Sequence, residues 1–542
     1  GHSNGLTAPN PQAQTALLAE ALQTAGVGPD AVDYIEMHGT GTSLGDPIEF
    51  NAIKTIYATG TRTQPLVLGA VKSNLGHLEA AAGMAGLIKT VLMLQQCAIP
   101  KNLHFQQLNP LIDLPSIPAI IPQELSHWES RQVRCAGVSS FGFTGTNAHV
   151  LIQEYSDKTQ TEHRRPIHLF TLSAQTPAAL MQLKQDFMHL VEMQPNLPLD
   201  ALCHTLNHSR SGLPYRLAFA VKTPEQLRSV LTSSVAPTYC MDKAQRVVFV
   251  FTGQSALYTQ IGYALYQAHP LFKKHIDYCC SLFNEHLIFP LDEVLFQPGK
   301  QHLLQEPQYA QTALFALEFA LAQLWMSLGI MPSMVVGHDS GEFVAAVIAH
   351  VMTVDEGAKL LVARIQWLQQ PLENASDASF TNVVTSIPFK RSRLPFISMA
   401  TGNKLEDVDG NHWVQLLTAS LQVQKAIANL LQEDFDIYLE INPNPLLLNN
   451  IITQHDHAEN VLWLTSMQQG KNPWDSIFEG LRKLYLRGFP IDWWQLDAPF
   501  AIRHFPEQLP NYPFARNTYW FSQSFARPTA DYLYAVEWQK SS

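Results

Sequence analysis

Two histidines sit in glycine-rich turns of a kind that can carry chemistry. His38 lies in Glu36-Met-His-Gly-Thr-Gly-Thr42, which runs on into Gly45-Asp-Pro-Ile-Glu49, and His77 closes Lys72-Ser-Asn-Leu-Gly-His77. Glycines let a backbone approach a ligand closely, and turns at strand ends are where α/β folds place function. Two neutral imidazoles aimed at one oxygen would donate two hydrogen bonds to a developing oxyanion. Taken alone, an isolated His-Gly-Thr is more often a plain turn histidine. A second constellation is Val335-Val-Gly-His-Asp-Ser-Gly-Glu342, which follows an apolar run and precedes a helical pattern over Phe343–Val351. That is the strand–turn–helix context of a nucleophile elbow.

Hydrophobic patterning predicts the elements that hold these turns. Ala31–Met37 reads as a strand, Pro47–Thr59 as a helix, Pro65–Val71 as a buried strand and Leu78–Gln95 as a helix, with Arg134–Phe141 and Ala148–Glu154 as a strand pair. Such alternation means a layered α/β unit. The polar run Tyr155–Arg165 marks a boundary. Residues 166–245 read as a small α+β piece with strands His168–Ser173 and Tyr215–Val221 and a helix Pro177–Glu192. A third, α/β unit opens with the strand Arg246–Phe251. Beyond residue 500, prolines and aromatics dominate, which predicts an extended surface segment.

Composition narrows the function classes. A length of 542 residues implies several domains. With 46% hydrophobic and 15% charged residues the chain is not intrinsically disordered. A dispersed net charge of −11 disfavours nucleic acid as a partner. The longest apolar run, Ala313–Trp325, is broken by Glu318 and Gln323, so no transmembrane helix and no membrane partner are expected. The polar, proline-broken first residues do not read as a signal peptide. Six sparse cysteines read as reduced thiols of a cytoplasmic protein, and no Cys/His set has zinc-finger spacing, so no metal site is expected. The chain opens at Gly1 without Met and reads as a piece of a longer polypeptide.

Ser3–Asn10 (SNGLTAPN), the two His motifs and Val138–His149 (VSSFGFTGTNAH) together resemble the C-terminal half of a β-ketoacyl synthase of modular polyketide synthases, in the family's order and spacing, over residues 1–154. The resemblance implies decarboxylative carbon–carbon bond formation on a carrier-protein thioester. It implies His38 and His77 as the pair polarising the extender's thioester carbonyl, Lys72 as supporting hydrogen-bond donor, and Thr40 and Thr42 as lining of a pantetheine tunnel. Thr144 stands where the family usually has Gly or Ser. The family's nucleophile is a Cys in a T-A-C-S-S elbow, a motif absent from this chain, and Cys97 and Cys135 have no turn suited to that role. Acyl-enzyme chemistry needs the thiolate, so no condensation by this chain alone is expected.

Phe249–Gln254 (FVFTGQ), the elbow, Leu360–Gln369 and Tyr438–Leu446 resemble the acyltransferase domain of the same synthases over 246–465. The family pattern G-H-S-x-G-E places a serine nucleophile where this chain has Asp339, with Ser340 in the variable position. Ser340 then reads as a helix N-terminal residue, with a shifted nucleophile as the alternative. Attack by Asp339 would give a mixed anhydride that water destroys, and its charge would repel a malonyl carboxylate. The family's general base is a His on an inserted ferredoxin-like subdomain, and here no His occurs between His350 and His412. Gln370-Pro-Leu-Glu373 resembles the sequence just beyond that His. The insert is expected to be excised, leaving Gln369–Phe389 as a surface connection with Ala375–Val384 as a loop. The resemblance implies Arg364 as the arginine that pairs with the extender carboxylate, and Gln254 and His338 on the substrate side of the elbow. Capping or surface roles remain the alternative for Arg364 and Gln254.

Residues 155–245 resemble the ketosynthase-to-acyltransferase linker, 489–530 the post-acyltransferase linker, with Tyr519 and Trp520 among its aromatics, and 531–542 the opening strand of a following domain. The expected fold class is a multidomain α/β chain: a thiolase-like half (1–154), a small α+β linker domain (155–245), an α/β-hydrolase-like acyltransferase core lacking its ferredoxin-like subdomain (246–488) and an extended strap (489–530). No bound cofactor is expected. Phosphopantetheine thioesters and acyl-CoA are the implied substrates, and an acyl carrier protein and an N-terminal ketosynthase half, or the rest of the synthase, the implied partners. Two functions follow: a catalytically degenerate scaffold or docking platform, or an enzyme half completed in trans by a chain bearing the Cys.

Overall fold

The computed structural model describes residues 9–517 apart from 59–61, 130–132, 143–144, 156–164, 241–243, 254–256, 259, 371–376, 406, 419–420, 446, 448–460 and 506–507. The expectations for Ser3–Ala8, Thr144, Gln254, Pro371–Glu373, Leu446, Tyr519, Trp520 and 531–542 lie outside the described residues. Two compact units are present, Gly1–Lys158 and Thr159–Ser542.

The first unit contains β1 (Tyr34–Glu36), β2 (Leu66–Gly69), β3 (Ala98–Ile99), β4 (Ala119–Ile120), β5 (Ser126–His127), β6 (Cys135–Phe141) and β7 (Asn147–Gln153), with α1 (Pro11–Ala25), α2 (Gly45–Tyr57), α3 (Lys72–Leu75) and α4 (Ala82–Gln96). Five strands form one sheet in the order β4-β2-β1-β6-β7, parallel except for the antiparallel β6–β7 pair. Successive residues of a strand face opposite sides. Ile35 of β1 therefore enters a core with Leu18, Phe50, Ile53 and Leu68, while Tyr34 meets Met93, Leu94 and Trp128. The expected helix from Leu78 starts later, at Ala82, after a 3₁₀ turn over Glu79–Ala81.

In the second unit a small antiparallel sheet, β8 (His168–Ala174), β9 (Tyr215–Val221) and β10 (Thr238–Tyr239), carries α5 (Pro177–Met193), α6 (Leu199–Ser209) and α7 (Pro224–Thr232). The larger sheet has the order β14-β13-β12-β11-β15-β16, from β11 (Val247–Phe251), β12 (Met334–Gly337), β13 (Phe396–Ser398), β14 (Lys404–Leu405), β15 (Ile437–Glu440) and β16 (Leu462–Thr465). Only β14 is antiparallel to its neighbour. A parallel strand covered on both faces is apolar throughout. Val247, Phe249 and Phe251 face one core, Val248 and Val250 the other. The covering helices are α8 (Tyr263–Ala268), α9 (Pro270–Asn284), α10 (Leu291–Phe296), α11 (Pro307–Ser327), α12 (Gly341–Ile348), α13 (Val354–Leu368), α14 (Asp377–Thr385), α15 (Gly410–Thr418), α16 (Val423–Leu431), α17 (Pro473–Leu486) and α18 (Trp493–Asp497). Among the described residues no helix is long and apolar enough to cross a membrane.

Three expectations need correction. The stretch expected as a loop, Ala375–Val384, forms α14 from Asp377, because Phe380 and Val384 share one face and bury it. Arg165, placed at the end of a polar boundary run, is buried and ion-paired to Asp497. The segment after residue 500 is not wholly superficial: Phe505 is buried in the core of the small sheet, and Leu509 and Tyr512 pack against it.

Candidate functional site

His38 follows β1 and His77 follows α3, and their rings meet edge to face with centroids 5.5 Å apart. The His38 Nδ1 accepts from the Phe141 backbone N–H at 3.4 Å and lies 3.5 Å from the Lys72 ammonium. The His77 Nδ1 accepts from the Glu79 N–H at 3.1 Å. With both Nδ1 atoms accepting, each ring carries its proton on Nε2. Burial, then Lys72 and His77, hold the His38 pKa down to about 4, so His38 is a neutral donor at physiological pH. The turn itself is held from below. Glu49 accepts the N–H groups of His38 (2.7 Å) and Gly39 (2.9 Å), and burial raises its carboxyl to about 7 despite those bonds. Thr40 lines a cavity of about 790 Å³ together with Lys72 and Asp46. The Thr42 hydroxyl accepts from Gly45 N–H at the start of α2 and contacts the Thr40 hydroxyl. All five predicted residues of this unit thus come together around one turn, Thr42 in a local hydrogen-bonding role. The described cysteines are free. Cys135 is buried in β6 with its thiol raised to about 11, and Cys97 ends α4.

In the second unit β12 delivers the chain into a tight turn that opens α12. Asp339, at the centre of the turn, has φ 51°. This left-handed conformation is costly for a non-glycine residue and marks functional turns. The turn also packs backbone to backbone on the loop after β11: a Cβ on Gly253 (φ 58°) would sit 2.1 Å from the Gly341 nitrogen. The elbow geometry is therefore intact, with an aspartate where it presents its side chain.

Asp339 points its Oδ1 at the Arg364 Nη2 of α13, forming an ion pair with both side chains largely buried. Arg364 also reaches Gln311, and among the described residues its buried Nε has no partner. Ser340 is buried and donates to the Gly253 carbonyl at 2.7 Å. It occupies the N-cap position of α12 but makes no capping bond; its hydroxyl ties the elbow to the neighbouring loop. His338 is buried with its Nδ1 2.7 Å from the Thr252 carbonyl.

Two acids near the elbow escaped the sequence reading. Glu318, fully buried in α11, accepts the N–H groups of Thr252 and Gly253, while among the described residues its Oε2 has no partner. Burial raises its carboxyl to about 8, with Glu440 and Asp339 adding to the push. Glu342 accepts from Ser398, the Ala400 N–H and His412 Nε2 at 2.9 Å. Glu318 had a signal, as the acid interrupting an apolar run; the His412 partnership had none. A third missed set, His204, His208 and Asp497, has ligand-type atoms within 4.8 Å of one another. Its signal was the i, i+4 histidine pair.

The beta-ketoacyl synthase C-terminal domain model matches residues 1–106, and the acyl transferase domain model matches 248–383. The chain belongs to the modular polyketide synthases. Between these two regions of the synthase, a CurL-like polyketide synthase C-terminal model matches 168–231. Similar proteins include erythronolide synthase EryA2 of Saccharopolyspora erythraea, 28% identical over 635 residues that cover 99% of this chain and 18% of the relative. The phenolphthiocerol/phthiocerol polyketide synthase subunits E and B of Mycobacterium tuberculosis are 29% and 37% identical, covering 95% and 69% of this chain and 41% and 25% of the subunits. This synthase chain thus spans well under half the length of these relatives. In fold, the chain is similar to the solved acyl transferase domain of ZmaA, with TM-score 0.59 at 19% identity, covering 65% of this chain and 100% of that one.

Proposed function

We propose that this polyketide synthase segment is catalytically reduced, its acyltransferase unit kept as a scaffold or docking platform for neighbouring domains and an acyl carrier protein. The observation that carries this is Asp339 in the elbow, bound to Arg364. An elbow presents one side chain to the acyl carbonyl. Here that side chain is a carboxylate, and it already occupies the guanidinium implied for the extender carboxylate. Ser340 is buried and donates to a backbone carbonyl, and among the described residues its hydroxyl is hydrogen-bonded to no histidine that would activate it. Excision of the ferredoxin-like subdomain supports the same reading. Between α13 and β13 the described residues hold one helix and no strand, and the alignment to the erythronolide synthase, at 635 residues, is longer than this chain. Phosphopantetheine thioesters and acyl-CoA remain family substrates that this unit does not turn over. The test is transfer: incubated with malonyl-CoA and a carrier protein, the chain leaves the carrier unloaded, and loading above a no-chain control overturns the proposal.

A second reading, an enzyme half completed by a Cys-bearing ketosynthase half, is favoured by α4. Met84, Ile88, Val91 and Leu92 form a stripe at helical spacing and are 55%, 56%, 38% and 52% exposed. A contiguous apolar patch of this kind marks an association surface, and His38 and His77 keep both Nε2–H donors. Co-expression with an N-terminal ketosynthase half gives a stable complex and malonyl-carrier decarboxylation under this reading, and Ile88→Lys abolishes both. Two separately monodisperse chains would defeat it.

A further inference from the structure

A cluster remote in sequence joins α6 to the segment around α18. His204 and His208 lie one turn apart on α6, with ring centroids 4.1 Å apart. Both direct a nitrogen at the same oxygen: the Asp497 Oδ2 is 2.8 Å from His204 Nδ1 and 3.1 Å from His208 Nε2. The other Asp497 oxygen is taken by the Arg165 Nη1 at 2.6 Å, and Arg165 is itself fixed by the carbonyls of Ile167 and Leu496. The carboxylate is therefore oriented from behind, with Oδ2 left facing two imidazoles. A fourth side chain, His504, has its ring centroid 4.9 Å from that of His204 and is exposed to solvent.

We propose that His204, His208 and Asp497 form a binding site for a zinc-type divalent cation. Two imidazole nitrogens and one carboxylate oxygen are a donor set that such ions favour, with the fourth position open to His504 or water. The three ligand atoms lie within 4.8 Å of one another, so an ion can sit among them with little rearrangement. Arg165 then plays the part of an outer partner that orients a ligating carboxylate. Binding requires lone pairs on His204 Nδ1 and His208 Nε2, so the ring protons move to the opposite nitrogens. The partly exposed His208 edge and His504 provide the approach from solvent. A bound ion would clamp the α18 segment onto α6, closing a joint between elements almost three hundred residues apart.

The experiment uses the full chain, stripped with a chelator and titrated with Co²⁺ while visible absorption is followed. One equivalent should bind with a four- or five-coordinate ligand-field spectrum and be displaced by Zn²⁺. His208→Gln keeps an N–H donor toward Asp497 but is a poor metal ligand, and should weaken binding by about tenfold or more. X-ray absorption of the zinc-loaded wild-type chain is independent of any variant's folding and should show nitrogen and oxygen donors with two imidazoles, or three if His504 takes the fourth position. No saturable one-equivalent binding, unchanged affinity in a folded His208→Gln, or a sulfur-containing shell would each overturn the proposal.

Discussion

Asp339 and Arg364 form an ion pair across 25 residues of sequence, and through it the residue that stands where the family pattern has its serine is tied to a guanidinium of α13. The side chains are only 19% and 10% exposed, so solvent screens the pair less than it would a surface bridge. A carboxylate that belongs to the protein stands where the family resemblance would put the carboxylate of an extender unit.

Breaking this pair should cost stability. Asp339→Asn leaves Arg364 poorly compensated and should lower unfolding free energy by about 1–3 kcal/mol. Urea denaturation of Asp339→Asn, Arg364→Met and the double variant gives the coupling. Additive losses would show that the contact contributes nothing.

Ser340 should behave as a structural hydroxyl. Ser340→Ala removes its bond to the Gly253 carbonyl and should cost about 1–2 kcal/mol without changing any acyl-transfer readout. Gly253→Ala should be far worse, because its new Cβ meets elbow backbone that cannot swing aside. Comparable melting points for the two variants would contradict this.

The elements around both sites were legible in sequence, because strands such as Val247–Phe251 are continuous apolar runs and the turns carry glycine at the required positions. Side-chain partnerships were not. The family pattern puts Asp339 where a serine nucleophile is expected, yet nothing in the local sequence says that its carboxylate reaches α13. Helix α14 was missed because ASDASFTNVV is small and polar on average, and only the spacing of Phe380 and Val384 betrays a buried face. Glu318 counted only as a break in an apolar run; its task of holding the Thr252 and Gly253 N–H groups requires the tertiary fold.

Glu318 makes stability depend on pH with a definite sign. Its carboxyl is raised to about 8 in the folded chain from 4.5, so the folded state holds a proton that the unfolded state has released between these values. The contribution is fully present below pH 4.5 and is lost as pH rises toward 8. The stability difference between wild type and Glu318→Gln, from denaturation at pH 5 through 8.5, should shift against the wild type as pH rises. A flat difference would mean that Glu318 is ionised in the fold.

His38 should stay neutral in mildly acidic solution. With its pKa near 4, selectively labelled His38 should show the Nε2–H tautomer in ¹⁵N spectra at pH 5.5, and His38→Gln should delete that signal. A His38 midpoint near 6.5 would contradict the buried, Lys72-facing environment.

The central claim, that the acyltransferase elbow no longer takes up an acyl group, is tested most directly by intact-protein mass spectrometry after incubation with malonyl-CoA and acetyl-CoA. The wild-type chain should keep its unmodified mass. So should Asp339→Ser under the proposed loss of the family's base-bearing insert, because a hydroxyl restored without its general base is a weak nucleophile and the parts of one catalytic unit do not act additively. A stable acyl adduct on the wild-type chain, mapped to Ser340 or Asp339, would contradict the account.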